Sequence, residues 1–530
     1  VDINFMDDYK IILFCCNWGP HAAYLNLQDR RADIPNEIKM VRIPCSGRIS
    51  KALLFKPFEM GADGVILLGC GSGTCRYGSG TATALQNTSE TREILSLIGL
   101  GERRLRLENF LPHQSDELLA FLKGFVTGIK EMGKSPIEVS ETLWEENKAP
   151  ETPEEIIAAH DVYSCQDCGK CTSACSLALA GKPFSPRAIA GDIISGRADT
   201  NEVRDSVNAC LTCGVCYERC PSAVNFPEFI KDMRAYYHRR SMAKEPSHGG
   251  FFQSMMRAMT SEKLKPQRWT YLPDRIKTSK DSNILFFGGC AVYFDLFFGE
   301  FLKTKTRRIL RDSIRLLNFF DIEPMVLDDE KCCGHDLLWS GDRDNFIKLA
   351  RLNAKAIEES GVEEVITACP ECFHTLKNEY AKFGIEIPVK ITHIHDFLEK
   401  EIGKGAVGFK QMDAKVTFQD SCRQSRFNGD GELPRKLINN FAEENSGEMP
   451  PSISNCCGNS AWTGCDSFSK AMQVQRLKQA KETGSETLIT VCPKCQIHLR
   501  CAMEDALRGD ELKMEVMDLT TAMAKTIYWE

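Results

Sequence analysis

Cys290, Cys332-Cys333-Gly334 and Cys369-Pro370-Glu371-Cys372 set out a pattern that returns as Cys422, Cys456-Cys457-Gly458 and Cys492-Pro493-Lys494-Cys495. Each copy holds five cysteines: a single, an adjacent pair followed by glycine, and a C-P-x-C. Successive side chains diverge, so adjacent cysteines do not readily chelate one ion, but they can reach two irons of a polynuclear cluster. Glycine after the pair permits positive φ and a close approach of backbone to a cofactor. Five thiols also exceed what a tetrahedral zinc needs. The interval from the adjacent pair to the C-P-x-C is 36 residues in one copy and 35 in the other. Each copy places an apolar strand (284–287; 415–418) before its first cysteine and another (364–367; 487–491) before the C-P-x-C. This is an internal duplication, and it predicts two similar α/β halves related by a pseudo-two-fold.

The pattern resembles the CCG domains found in the B component of heterodisulfide reductases, over roughly residues 281–500. The resemblance implies that each five-cysteine set holds a non-cubane 4Fe-4S cluster and that the pair of clusters cleaves a disulfide.

With 530 residues the chain should form several domains. A net charge of −7 gives no support to nucleic-acid binding. A basic run at Lys303, Lys305, Arg307, Arg308, Arg311 and Arg315 reads as a solvated helix face. No stretch reads as a transmembrane span; the most apolar window, 283–302, is broken by Asp295, Glu300 and Gly288-Gly289. The opening Val1-Asp2-Ile3-Asn4 has no basic region, so a cytoplasmic location is expected. In such a setting 25 cysteines point to metal rather than to disulfides. Cys465 and Cys501 alone fall outside the motifs and read as structural.

Residues 1–138 read as an α/β domain. Apolar runs at 10–15, 38–43 and 64–68 look like buried parallel strands. They end in Cys15-Cys16, Cys45 and Cys70, and Cys75 follows in a glycine-rich loop. Ligands of open α/β sheets sit beyond the carboxyl ends of strands, so these thiols should gather at one edge. The loop lacks the third glycine of a dinucleotide fingerprint, because Thr74 occupies that place. The stretches Phe14-Cys-Cys-Asn-Trp18, Val41-Arg-Ile-Pro-Cys-Ser-Gly-Arg48 and Gly69-Cys-Gly-Ser-Gly-Thr-Cys-Arg-Tyr77 resemble the delta subunit of methyl-viologen-reducing hydrogenase. That resemblance implies one 2Fe-2S cluster. The family's further cysteine after Asn-Trp is Gly19 here, which leaves five thiols for four ligand places and does not say whether Cys15 or Cys16 is the extra one.

Residues 139–155 are a charged, proline-containing linker candidate. Then come Cys165, Cys168, Cys171 and Cys175, and after a gap Cys210, Cys213, Cys216 and Cys220-Pro221. Three close thiolates wrap one cubane and the fourth reaches the other in such a run. Cys165, Cys168, Cys171 and Cys220 should therefore hold one 4Fe-4S cluster, and Cys210, Cys213, Cys216 and Cys175 a second. The gap suits helices at 189–194 and 203–209, and the segment is similar to the helical ferredoxin domain found in the C component of heterodisulfide reductases. Residues 225–280 read as a helix followed by an irregular strap.

The expected architecture is multidomain. It comprises an α/β delta-like domain (1–138), an all-α two-cluster ferredoxin domain with its strap (139–280), and two pseudo-symmetric α/β CCG domains (281–405 and 406–530). The resemblance implies an iron–sulfur oxidoreductase acting on a disulfide within a larger complex. The partners it implies are an FAD-containing A-like subunit for electron bifurcation or confurcation, a hydrogenase or formate dehydrogenase as donor, and ferredoxin. The other reading is a pure electron-transfer subunit between a flavoprotein dehydrogenase and a quinone. His335, His374 and His498 lie beside cluster cysteines and read as hydrogen-bond partners of sulfur or backbone rather than as proton donors.

Overall fold

The computed structural model describes residues 9–71, 73–137, 150–405, 407–444, 454–507 and 510–529. The N-terminal tetrapeptide and most of the linker candidate (139–149) lie outside the described residues. The chain divides into two compact units, Val1–Thr142 with His248–Thr270, and Leu143–Ser247 with Tyr271–Glu530.

The first unit carries a parallel sheet of β1 (Ile11–Cys16), β2 (Ile38–Ile43), β3 (Gly64–Cys70) and β4 (Leu105–Phe110) in the order β2-β1-β3-β4. The central strands are covered on both faces, and β3 is buried at every position, which is why they read as unbroken apolar runs. Strand β4 was not legible: Leu-Arg-Leu-Glu-Asn-Phe at the sheet edge is buried only at its two ends. The strand order reverses between β1 and β3, the place where open α/β sheets form a crevice.

The stretch read as a strap divides. Its part from His248 to Thr270 belongs to the first unit, where the helix Phe251–Ala258 packs on the helix Lys51–Glu59. Phe251 meets Phe55 edge-on at 5.4 Å, and Arg257 Nε donates to Glu59 Oε1 at 2.6 Å. Phe251, Phe252, Met255 and Met256 are all buried. Such a face gains by leaving water, so it docks on an available surface.

In the second unit every regular element described between Pro153 and Arg239 is a helix. The longest, Phe226–Arg239, starts where the Asn225 side chain accepts from the Glu228 amide, with proline in the first turn. Two three-stranded parallel sheets follow. The first is β5 (Ile284–Phe287), β6 (Glu364–Thr367) and β7 (Lys390–His393), and the second is β8 (Val416–Gln419), β9 (Thr487–Thr490) and β10 (Glu515–Asp518). The central strand of each feeds the C-P-x-C, and one edge strand feeds the lone cysteine. A parallel bridge flanks that edge strand in both halves, Leu285 with Met325 and Val416 with Glu444. The duplication seen in the cysteines is thus carried by the backbone.

The basic run lies on the helix Thr306–Phe319 and its approach; its residues are exposed or half-buried, and several of its charges are also paired. Arg308 and Arg311 pair with Asp312, Lys303 with Glu504, and Arg315 lies 3.6 Å over the Trp529 ring. Among the described residues no helix is long and apolar enough to cross a membrane.

Candidate metal centres

At the carboxyl edge of the first sheet, four of the five thiols meet. Cys16 Sγ lies 3.6 Å from Cys70 Sγ. Cys45 and Cys75 share a hydrogen bond, and the charge of Cys16 is felt at Cys45. A Cβ on Gly80 would fall 2.8 Å from Cys75 Sγ and 2.9 Å from Cys45 Sγ, so glycine keeps this cradle open. The backbone N–H of Tyr77, with those of Thr81 and Gly80, pulls the Cys75 thiol below its ordinary value. Cys15 points the other way, as strand alternation requires. It packs with Ile11, Leu13, Tyr24 and Leu122, and burial pushes its thiol up to about 12. At Gly19 a Cβ would stand 2.7 Å from the Phe110 carbonyl oxygen, and the Gly19 amide donates to Cys70.

In the second unit Cys175 lies with the cysteines of the second run. The charge of Cys175 is felt at Cys210 and Cys216 and that of Cys213 at Cys175, while Cys171 neighbours Cys165. Burial pushes Cys210 up to about 12. Cys168 is exposed and Cys220 half-buried, and neither makes a sulfur–sulfur hydrogen bond among the described residues.

Both five-cysteine sets close on themselves. Cys290 shares a hydrogen bond with Cys332, and Cys333 lies 3.5 Å from Cys372, which shares one with Cys369. In the second set Cys457 shares hydrogen bonds with Cys456 and Cys495, Cys495 with Cys492, and Cys422 lies near Cys457. The adjacent pair is turned by Gly334 at φ +83° and Gly458 at φ +98°, conformations that favour glycine. Cys369 and Cys492 are extended, each with its amide donating to the strand-end hydroxyl of Thr367 or Thr490 at 3.4 Å, and Pro370 or Pro493 then opens a helix. In each set the second cysteine of the pair is pulled below its ordinary pKa by neighbouring thiols, Cys333 by Cys332 and Cys372, Cys457 by Cys456 and Cys495.

The sets also touch one another. Cys213 of the ferredoxin-like segment shares a hydrogen bond with Cys456 of the second set. Cys492 of the second set is felt at Cys369 of the first. Clustered thiols, cradles that a Cβ would fill, and buried cations beside them suit anionic iron–sulfur groups.

The charged residues around these sets had little sequence signal. Lys494 reaches across to the first half, where its ammonium pairs with Asp336 and lies 2.6 Å from Glu371 Oε2. All three are buried. Donor atoms of His335, Asp336 and Glu371 lie within 4.8 Å of one another, but Lys494 already supplies the positive charge there. Arg423 and Arg426 lie near Cys422 of the second set, and Arg234 donates to the Cys210 carbonyl. Of the three histidines only His498 meets a sulfur as expected; His335 and His374 bond polar side chains instead. His498 Nδ1 is 3.3 Å from Cys457 Sγ, His335 Nδ1 is 3.2 Å from Thr375 Oγ1, and His374 bonds Asn428 and Glu379. Burial pushes His498 down to about 3 and His335 well below its ordinary value, so both rings are neutral near pH 7.

Comparison with known proteins agrees with this layout. Residues 11–133 match the family profile "Methyl-viologen-reducing hydrogenase, delta subunit". Residues 164–225 match the 4Fe-4S dicluster domain, and residues 284–377 and 416–500 match the cysteine-rich domain, CCG. The D component of the dihydromethanophenazine:CoB–CoM heterodisulfide reductase of Methanosarcina acetivorans is 28% identical over 66% of this chain and 84% of its own length. The B component of the fumarate reductase (CoM/CoB) of Methanothermobacter marburgensis is 26% identical over 69% of this chain and 73% of its own. The EtfAB:quinone oxidoreductase of Syntrophomonas wolfei is 23% identical over 63% of this chain and 54% of its own. The chain therefore joins a hydrogenase-delta-like domain to dicluster and CCG domains of the kind found in iron–sulfur oxidoreductase subunits.

Proposed function

We propose that this heterodisulfide-reductase-like chain is the iron–sulfur subunit of a larger redox complex, and that its two CCG sets reduce, or form, a thiol disulfide. The observation that carries this reading is the unbroken adjacency of thiols in the second unit, from Cys175 through Cys213 and Cys456 to Cys492 and Cys369. Cys16, Cys45, Cys70 and Cys75 would hold a 2Fe-2S centre, with Cys15 left in the core. Cys165, Cys168, Cys171 and Cys220 would hold one cubane, and Cys210, Cys213, Cys216 and Cys175 the other. Each five-cysteine set would hold a non-cubane 4Fe-4S centre. Such centres supply one-electron transfer and, in the CCG sets, iron sites for substrate sulfur. The protein's own part is to hold these groups in register and keep them dry. Reduction of R–S–S–R′ takes two electrons and two protons and yields RSH and R′SH.

The test is anaerobic purification of the chain, with iron and sulfide analysis and an assay of disulfide reduction by a reduced viologen dye. About 18 irons per chain are expected from the ligand sets, together with turnover. About eight irons or fewer would sink the assignment. A second reading, electron transfer without disulfide chemistry, draws support from the likeness to the EtfAB:quinone oxidoreductase. Full iron content without turnover would favour it.

Joining the delta-like and dicluster–CCG parts in one chain would hold both at high effective concentration around a shared partner. We propose an FAD-containing A-like subunit as that partner, in a bifurcating or confurcating complex fed by a hydrogenase or formate dehydrogenase and linked to ferredoxin. Anaerobic native pull-down should recover FAD protein, and recovery without any flavoprotein counts against it.

A further inference from the structure

Two arginines in the second unit are buried in a way that ordinary packing does not account for. Arg234 and Arg423 are each 1% exposed. Arg234 donates to the carbonyl oxygens of Val207, Asn208, Cys210 and Trp339. Arg423 donates to the Thr212 carbonyl at 3.0 Å and to Thr212 Oγ1 at 3.3 Å, and its guanidinium lies 4.0 Å from both the Trp339 and Phe427 ring centres. Among the described residues neither makes an ion pair with a carboxylate. The two guanidiniums are like charges buried beside the same Trp339 and the same loop. A charge taken out of water without a counter-charge is strongly unfavourable, and carbonyl oxygens offset only part of that.

Both side chains converge on one loop, Cys210 to Thr212, and Arg426 Nε adds a bond to the Cys213 carbonyl at 2.6 Å. This loop leads into three of the thiols assigned to the second cubane, and Cys213 abuts Cys456. The groups within reach that would become anionic on binding iron are thiols: Cys210 beside Arg234, and Cys422 beside Arg423 and Arg426. Resting on the iron–sulfur reading above, we infer that Arg234 and Arg423 are potential-setting residues. They supply the counter-charge of the group held by Cys210, Cys213, Cys216 and Cys175 and of the neighbouring second CCG set. Adding an electron raises the negative charge of such a group, and two fixed cations in a low-dielectric interior favour the more negative form. Both cations would make the groups at the junction between the dicluster segment and the second CCG set easier to reduce.

The competing role for these arginines is mechanical, a clamp on loop carbonyls. Lysine separates the two, because it keeps the charge and loses the planar fork. The experiment is an EPR-monitored redox titration of the anaerobic full-length chain with Gln and Lys at 234 and at 423. Arg423→Gln and Arg234→Gln should lower the reduction equilibrium constant of the Cys210–Cys216 centre about tenfold, 59 mV for a one-electron couple. Arg423→Lys and Arg234→Lys should stay close to the parent, and the Cys165–Cys171 centre should move less in every variant. Gln variants that keep their iron and their potential overturn the inference, as do Lys and Gln variants that behave alike. If the Gln variants lose iron, the Lys variants decide: parental potential supports the charge role, and loss of iron there overturns it. A parent chain without cubane signals breaks the underlying assignment instead, and the inference with it.

Discussion

The two CCG halves share strands, turns and thiols, yet they are surrounded by different charges. Within the C-P-x-C the first half has Glu371 and the second Lys494, and the two meet across the halves in a buried cluster with Asp336. Around the second set the nearby cations, Arg423 and Arg426, face the dicluster loop. The Gly288-Gly289 that precedes Cys290 is replaced by Asp420-Ser421 before Cys422. Duplication kept the ligand geometry, while each copy adapted its charge to its neighbours: the first to the second half, the second to the ferredoxin-like segment. Equal thiol sets need not be equal redox sites.

The largest effect should come from the thiols themselves. Cys333→Ala or Cys457→Ala should abolish disulfide turnover while the cubane EPR signals of the dicluster segment persist. Unchanged turnover in either variant removes that set from the chemistry. Cys456→Ala should also disturb the neighbouring cubane signal, and Cys332→Ala should not. Equal disturbance by both would erase the difference between the halves.

Next in size is the charge cluster. Lys494→Met leaves Asp336 and Glu371 buried without their cation, a loss of about 3–5 kcal/mol for a broken buried pair. Anaerobic denaturant unfolding should show it, and the paired exchange Glu371→Lys with Lys494→Glu should recover most of it. No recovery would mean that the cluster is not held by complementary charge.

A smaller contrast lies one residue before each lone cysteine. A Cβ on Gly289 would sit 2.5 Å from Cys372 Sγ, at φ +60°. Gly289→Ala should cost about 1–2 kcal/mol from the left-handed backbone, with further crowding of the thiol, and lower the iron bound by the first set. Ser421→Ala should leave the second set's iron unchanged. Equal iron content in both variants would show that the first cradle yields more readily than its packing implies.

A last contrast is a pH dependence of opposite sign in the two halves. His393 and Asp518 close the equivalent strands β7 and β10, and each caps the helix that follows. Burial lowers His393 from 6.5 to about 3 and raises Asp518 from 3.8 to about 7. Between about pH 3 and 6.5 the unfolded chain holds the His393 proton and the folded chain does not, so this group makes stability rise with pH. Between about pH 3.8 and 7 the folded chain holds the Asp518 proton and the unfolded chain does not, so this group makes stability fall. His393→Gln should remove the rising contribution and Asp518→Asn the falling one, as read from unfolding midpoints across this range. The same change of slope from both variants would refute the assignment.

Sequence alone determined the ligand grammar, because cluster chemistry demands thiols at short fixed spacings and glycine where the chain must turn beside them. It also determined the strands feeding each C-P-x-C, since buried parallel strands must be apolar on both faces. It did not disclose β4, β7 or β10, short segments (Leu105–Phe110, Lys390–His393, Glu515–Asp518) in which charged or polar residues interrupt the apolar run. It left Cys15 and Cys16 undivided, because alternation separates them only once the sheet shows which face carries the core. Most of all it was silent on Arg234, Arg423 and the partners of Lys494. A charged residue reads as solvent-facing until the fold removes the solvent, and its meaning then depends on groups far away in the chain. Lys494 meets Asp336 across 158 positions, and Arg423 meets Thr212 across 211. Which charge faces which cluster was decided by packing, because only tertiary structure sets the distance and dielectric through which charges act.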